Sequence, residues 1–129
     1  MKQIKQILLV PFLAVVSLIS CNAQSGPAIP PKEFSEKSRA ENTILLDVRT
    51  PKEYAAGHLK GAQLVNIFDD NFGEQIAKLD SSKTVYVYCA SGGRSGEAQE
   101  IMLKSGFKNV VNLEGGIEAW KKAGLPVEQ

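Results

Sequence analysis

Apolar residues recur along this chain in two alternating rhythms. Short runs rich in β-branched and aromatic residues predict strands: Thr43-Ile44-Leu45-Leu46-Asp47-Val48, Ala62-Gln63-Leu64-Val65-Asn66-Ile67, Val85-Tyr86-Val87-Tyr88 and Asn109-Val110-Val111-Asn112-Leu113. Between them the spacing becomes helical. Pro51 to Ala56 predicts a short helix, with Pro51 in its first turn and Gly57-His58 at its stop. Asp69 to Leu79 places Phe72, Ile76 and Leu79 on one face, although Gly73 weakens the segment. Ser95 to Ser105 is the clearest helix, with Ser95 as its cap, Ala98, Ile101 and Met102 as its apolar face and Gly106 as its end. Two shorter segments complete the pattern. Glu33 to Ala40 offers Phe34 as its apolar contact, and Glu118 to Ala123 turns Trp120 inward before Gly124-Leu125-Pro126 closes it.

Strands that alternate with helices predict a parallel α/β sheet covered on both faces. In such sheets ligands sit beyond the carboxyl ends of the strands. Cys89 stands at such an end, and Asp47 and Arg49 stand at the end of another, so all three are expected on one rim.

The first residues do not share this rhythm. Lys2 and Lys5 precede an uncharged apolar stretch from Ile7 to Ile19, followed by Leu18-Ile19-Ser20-Cys21. A basic start, an apolar centre too short to span a bilayer comfortably and a small residue before a cut describe a secretory signal. A cysteine directly after that small residue resembles a bacterial lipobox, which implies cleavage after Ser20 and lipid on Cys21. The alternatives are an ordinary cut near Ala23 or an uncleaved anchor. Residues 1–20 are thus expected as a lipoprotein signal peptide, residues 21–31 as a Gly- and Pro-containing tether, and residues 32–129 as one domain. The product would be exported and lipid-anchored to a bacterial membrane, in the periplasm or at the cell surface.

Charge narrows the partners. The formal net charge is +1, which gives no electrostatic case for nucleic acid. Loss of residues 1–20 removes Lys2 and Lys5 from the 15 basic residues and leaves the 14 acidic ones in excess by one. Membrane attachment would then rest on lipid. With Cys21 lipidated, Cys89 is the remaining thiol of the two cysteines, in a compartment where disulfides form. A Cys21–Cys89 disulfide is the alternative, with no obvious gain from tying a tail to the interior.

The chemistry gathers in Cys89-Ala90-Ser91-Gly92-Gly93-Arg94-Ser95. A strand ends in a thiol, a Gly-rich turn follows, and a helix begins. Backbone N–H groups and the positive end of a helix dipole collect there, which favours thiolate and welcomes an anion. Glycines let the loop amides approach a group on the sulfur, and Arg94 adds a planar cation suited to an oxyanion. Arg94 either binds substrate or braces the loop. Ser91 either bonds substrate or faces solvent, and Ser95 reads as a helix cap rather than a proton shuttle. Asp47 and Arg49 either support the rim or form structural bonds, such as an Arg49–Glu53 salt bridge, and the structural role is favoured. His58, the only histidine, reads as a hydrogen-bonding turn residue, so neither a metal site nor a cofactor is expected.

Four motifs in order resemble the rhodanese family, the thiosulfate sulfurtransferase-type module. They are Leu46-Asp47-Val48-Arg49; Glu53-Tyr54 with Gly57-His58-Leu59 and Gly61-Ala62; Tyr88 to Ser95; and Leu113-Glu114-Gly115-Gly116-Ile117 with Trp120, Gly124, Pro126 and Val127. The similarity covers roughly residues 32–129. It implies a three-layer α/β/α rhodanese-like fold with a mainly parallel sheet of about five strands. It also implies sulfur transfer from a small sulfane-sulfur donor such as thiosulfate to a thiol or cyanide acceptor, through a persulfide on Cys89. Relatives that act on phosphate or arsenate carry a loop one residue longer, C-x5-R against the C-x4-R of Cys89 to Arg94. The alternative of another class is a non-enzymatic persulfide carrier or interaction module loaded by a protein partner.

Overall fold

A computed structural model describes residues 26–129. The signal segment, Cys21 and the first residues of the expected tether lie outside the described residues. Strand β1 (Ala28–Ile29) and helix α1 (Pro31–Lys37) open the domain, followed by β2 (Thr43–Asp47), α2 (Pro51–Ala56), β3 (Gln63–Leu64) and α3 (Phe72–Ala77). Strand β4 (Thr84–Tyr88), α4 (Gly93–Lys104), β5 (Val110–Leu113) and α5 (Gly116–Lys122) complete it. The five strands form one sheet in the order β1-β5-β4-β2-β3, and every pairing is parallel.

The period of two in β4 assigns its side chains to two cores. Val85 and Val87 join Ile44 and Leu46 of β2 beneath Phe72 and Ile76 of α3 and Ala98 and Met102 of α4. Tyr86 and Tyr88 face the other way, with Leu113, Phe34 of α1 and Ile117 and Trp120 of α5. There Phe34 meets Tyr86 and Trp120 edge-on, at 5.4 and 6.4 Å between ring centroids. Trp120 also anchors the chain end, since its indole N–H donates to Pro126 O at 3.0 Å. A strand buried on both faces must be apolar throughout, which explains why β4 read so clearly.

Several boundaries differ from the pattern. The expected domain start near Lys32 falls inside α1. The sheet begins earlier, because Ala28 and Ile29 pair with Asn112 and Leu113. An edge strand that short is set by backbone bonding and carries no side-chain period. The run Ala62–Ile67 shortens to β3, although Val65 N–H and Ile67 N–H still donate to Asp47 O and Val48 O at 2.9 and 3.1 Å. Asp69 to Asn71 form a turn ahead of α3. Helix α4 starts two residues before Ser95, with Gly92 as its cap at φ 109°, so Ser95 lies inside the first turn and is not the cap.

Candidate active site

Three strand ends build the rim. At the end of β2, Asp47 and Arg49 sit two residues apart, so an extended backbone puts both side chains on one face. Arg49 Nη2 and Nε donate to Asp47 Oδ2 at 2.7 and 3.1 Å, and the Arg49 backbone N–H donates to Asp47 Oδ1 at 3.0 Å. Arg49 Nη2 also donates to Gly57 O at 2.7 Å, and the guanidinium lies 5.5 Å from the centroid of the Tyr88 ring. Both charged side chains are buried. The Arg49–Glu53 bridge weighed from the sequence does not form, because Arg49 is already held by its own strand. Tyr88 accepts the Leu59 N–H at 3.0 Å, and burial pushes its phenol well above the usual range.

Cys89 follows β4 directly and is 1% exposed. Its sulfur accepts the Gly92 N–H at 3.1 Å and lies 3.2 Å from the Ser95 hydroxyl. Burial pushes the thiol up, but the Ser95 hydroxyl and the Ser95, Gly92 and Ser91 amides together hold it below the ordinary thiol value. The left-handed φ of Gly92 turns its N–H back toward the sulfur, which a β-carbon would make costly. Ala90 and Gly93 complete the turn, and Ser91 is exposed at its tip.

Helix α5 holds the base of this loop. Ile117 N–H donates to Cys89 O at 2.9 Å and Glu118 N–H donates to Ala90 O at 3.1 Å. This docking explains the adjacent glycines of the fourth motif. Gly116 has φ 64°, and a β-carbon there would lie 2.4 Å from Ala90 O.

On the outer side, Arg94 is clamped. Its Nη1 and Nη2 donate to Glu53 Oε1 and Oε2 at 2.7 and 2.9 Å, and the guanidinium lies 5.8 Å from the centroid of the 67%-exposed Phe68 ring. Glu53 also closes the capping box of α2 with Thr50, whose hydroxyl it accepts at 3.1 Å. The Arg94 guanidinium, aided by the Thr50 hydroxyl and amide and opposed by partial burial, lowers the Glu53 carboxyl to about 2. His58 is stacked on Tyr54 at 3.8 Å between ring centroids, with its Nδ1 2.9 Å from Tyr54 O.

The arrangement is a buried sulfur with the Gly92 N–H and the Ser95 hydroxyl against it, next to a helix start and a braced arginine. It can act as a nucleophile without a general base. A cleft of about 580 Å³ between α1, β2 and α5, lined by Arg39, Leu59, Lys60 and Trp120 among others, shares no residue with this loop.

The family model for the rhodanese-like domain matches residues 30–123. This chain belongs to the rhodanese-like domain family. Among its relatives, a protein of Mycobacterium tuberculosis named "Probable adenylyltransferase/sulfurtransferase MoeZ" is 39% identical over 116 residues, which span 89% of this chain. The chain covers only 30% of that protein. The thiosulfate sulfurtransferase GlpE of Pseudomonas fluorescens is 36% identical over 93 residues, with 72% of this chain and 83% of GlpE covered. A rhodanese-related protein of Thermoplasma volcanium has a crystal structure that superposes with a TM-score of 0.70 at 31% identity, over 79% of this chain and 97% of that one. The rhodanese-like fold, an all-parallel five-stranded sheet between helices, and membership of a family of sulfurtransferases are therefore shown for this chain.

Two parts of the site were not read from the sequence. Glu53 was read as a motif residue and as a possible partner of Arg49, and nothing in its local sequence discloses Arg94 as a partner 41 residues away. Asn112, a polar side chain inside an apolar strand, is 8% exposed and sits against Ser95. Its place in the run was the available signal.

Proposed function

We propose that this rhodanese-like domain transfers a sulfane sulfur from thiosulfate or a related donor to a thiophilic acceptor through a Cys89 persulfide. The observation that carries this reading is the cradle of donors around one buried thiol. Cys89 thiolate attacks the outer sulfur of the donor, and a sulfur–sulfur bond forms. The donor's own sulfur–sulfur bond breaks, and its electron pair leaves on sulfite, which needs no proton. The acceptor then attacks the outer sulfur of the persulfide and releases Cys89 thiolate. The Ser91, Gly92 and Ser95 amides that favour the thiolate would favour an incoming anion by the same charge.

Initial rates with thiosulfate and cyanide both varied test the proposal. Parallel double-reciprocal lines are expected of a two-step exchange, whereas loading without turnover would favour the carrier alternative.

Arg94 serves as brace and charge together in this reading. Arg94→Ala strips Glu53 of its counter-charge and leaves a carboxylate on the rim. Thiosulfate kcat/KM is expected to fall on the order of 10²-fold with the unfolding midpoint little changed. An unchanged kcat/KM would reduce Arg94 to a brace.

We also propose that Cys21 carries lipid, on the strength of Leu18-Ile19-Ser20-Cys21 alone. Cys21→Ala expressed in a bacterial host should move the protein from the membrane to the soluble fraction. An unchanged membrane fraction would refute lipid attachment at Cys21.

A further inference from the structure

Behind Cys89 one hydroxyl proton is shared among several acceptors. Ser95 is fully buried, and its hydroxyl oxygen lies 2.7 Å from Asn112 Oδ1, 3.2 Å from Cys89 Sγ and 3.2 Å from Gly92 O. A hydroxyl has one proton, so it serves one of these acceptors at a time. The orientation of the Asn112 amide is set by its other end, because Nδ2 donates to Gly92 O at 3.2 Å. Turning the amide over would set Oδ1 against that carbonyl, two acceptors with no proton between them. Oδ1 therefore faces Ser95 and accepts from it. Gly92 O is not left wanting, since it also accepts the Gly96 N–H at 3.0 Å.

We infer that Asn112 is a positioning residue for Cys89, competing with the sulfur for the Ser95 proton and thereby matching the hydroxyl to both chemical states of the site. The inference rests on Cys89 being the nucleophile of the proposed function. With a neutral thiol, the S–H donates to Ser95 Oγ and the Ser95 O–H donates to Asn112 Oδ1. When the thiol loses its proton to solvent, the Ser95 O–H rotates to the sulfur and Oδ1 loses its donor. On the persulfide, the Ser95 proton returns to Asn112. As the acceptor removes the outer sulfur, that proton swings to the departing thiolate. No proton passes along the chain; one hydroxyl changes partner. Asn112 thus favours the states in which Sγ carries no charge, the thiol and the persulfide whose charge sits on the outer sulfur, and restrains the Sγ thiolate, which the loop amides favour.

The charged groups around Cys89 are the same with or without Asn112. They are Arg94 of α4 with its partner Glu53 of α2, and the Asp47–Arg49 pair at the end of β2. On the β5–α5 side they are Glu114 and Glu118, both exposed.

The test is the pH dependence of iodoacetamide alkylation at Cys89, followed on the tryptic peptide Thr84–Arg94 of the full chain. It needs no sulfur donor, so it stands even if sulfur transfer fails. Asn112→Leu fills nearly the same space without either polar atom. Its alkylation inflection should move to lower pH, with about threefold faster alkylation below the inflection. Ser95→Ala should move the inflection to higher pH. In the Ser95→Ala background, Asn112→Leu should produce no further shift. An inflection unmoved by Asn112→Leu in a variant that keeps the wild-type unfolding midpoint overturns the inference. So does an equal shift without Ser95, which would assign the effect to the Gly92 contact. Should the leucine variant not fold, Asn112→Ala carries the same expectations.

Discussion

Replacing Cys89 by serine is expected to lower sulfur transfer by roughly 10⁴-fold or more, into the assay background, with the fold intact. Oxygen is smaller than sulfur, so the 1%-exposed site accepts it without strain. Ser95 and the Gly92 amide would still find an acceptor at that position. A serine hydroxyl, however, stays protonated under conditions where the Cys89 thiol, held below its ordinary value, ionises. It also cannot hold a sulfane sulfur as a disulfide-like bond does. Turnover with thiosulfate and cyanide, measured beside the unfolding midpoint, checks both halves. A folded Cys89→Ser protein that retains substantial turnover would remove the thiol from the mechanism.

The largest stability effect is expected at Asp47. Asp47→Ala leaves Arg49 buried beneath the rim without its carboxylate, retaining only Gly57 O and the Tyr88 ring. Breaking a buried pair from one side costs about 3–5 kcal/mol, which for a domain of this size lowers the unfolding midpoint by at least about 10 °C. The double variant Asp47→Leu with Arg49→Met removes both charges and is expected to recover much of that loss. Thermal unfolding of the three proteins decides the matter. A single variant within about 1 kcal/mol of wild type would show that water reaches Arg49 and that the pair supports little.

The fold was legible where burial on both faces forces continuous apolar runs, as in β2, β4 and β5, and where helical spacing is long enough to count, as in α4. Its margins were not. Strand β1 has two residues, too few for a period of two to declare itself, and α3, expected over Asp69 to Leu79, closes to Phe72–Ala77 because a turn precedes it. Ser95 shows why the site was read only in part. At sequence level a serine before an apolar helix is a cap. In the structure Gly92 takes the cap in a left-handed conformation, and Ser95 is freed to turn inward to the sulfur and to Asn112. Likewise Arg49 and Glu53 are close in sequence and opposite in charge, yet each is taken by another partner, Asp47 and Arg94. Proximity along the chain could not rank these options, because the choice depends on which strand ends the sheet order brings together.

Intact mass of the purified chain before and after thiosulfate, followed by a cyanide chase, tests for a covalent sulfur on Cys89. A gain of one sulfur atom, removed by cyanide and absent in Cys89→Ser, is expected. A folded protein with a free Cys89 thiol that gains no sulfur from thiosulfate, or that gains it equally in Cys89→Ser, would contradict it.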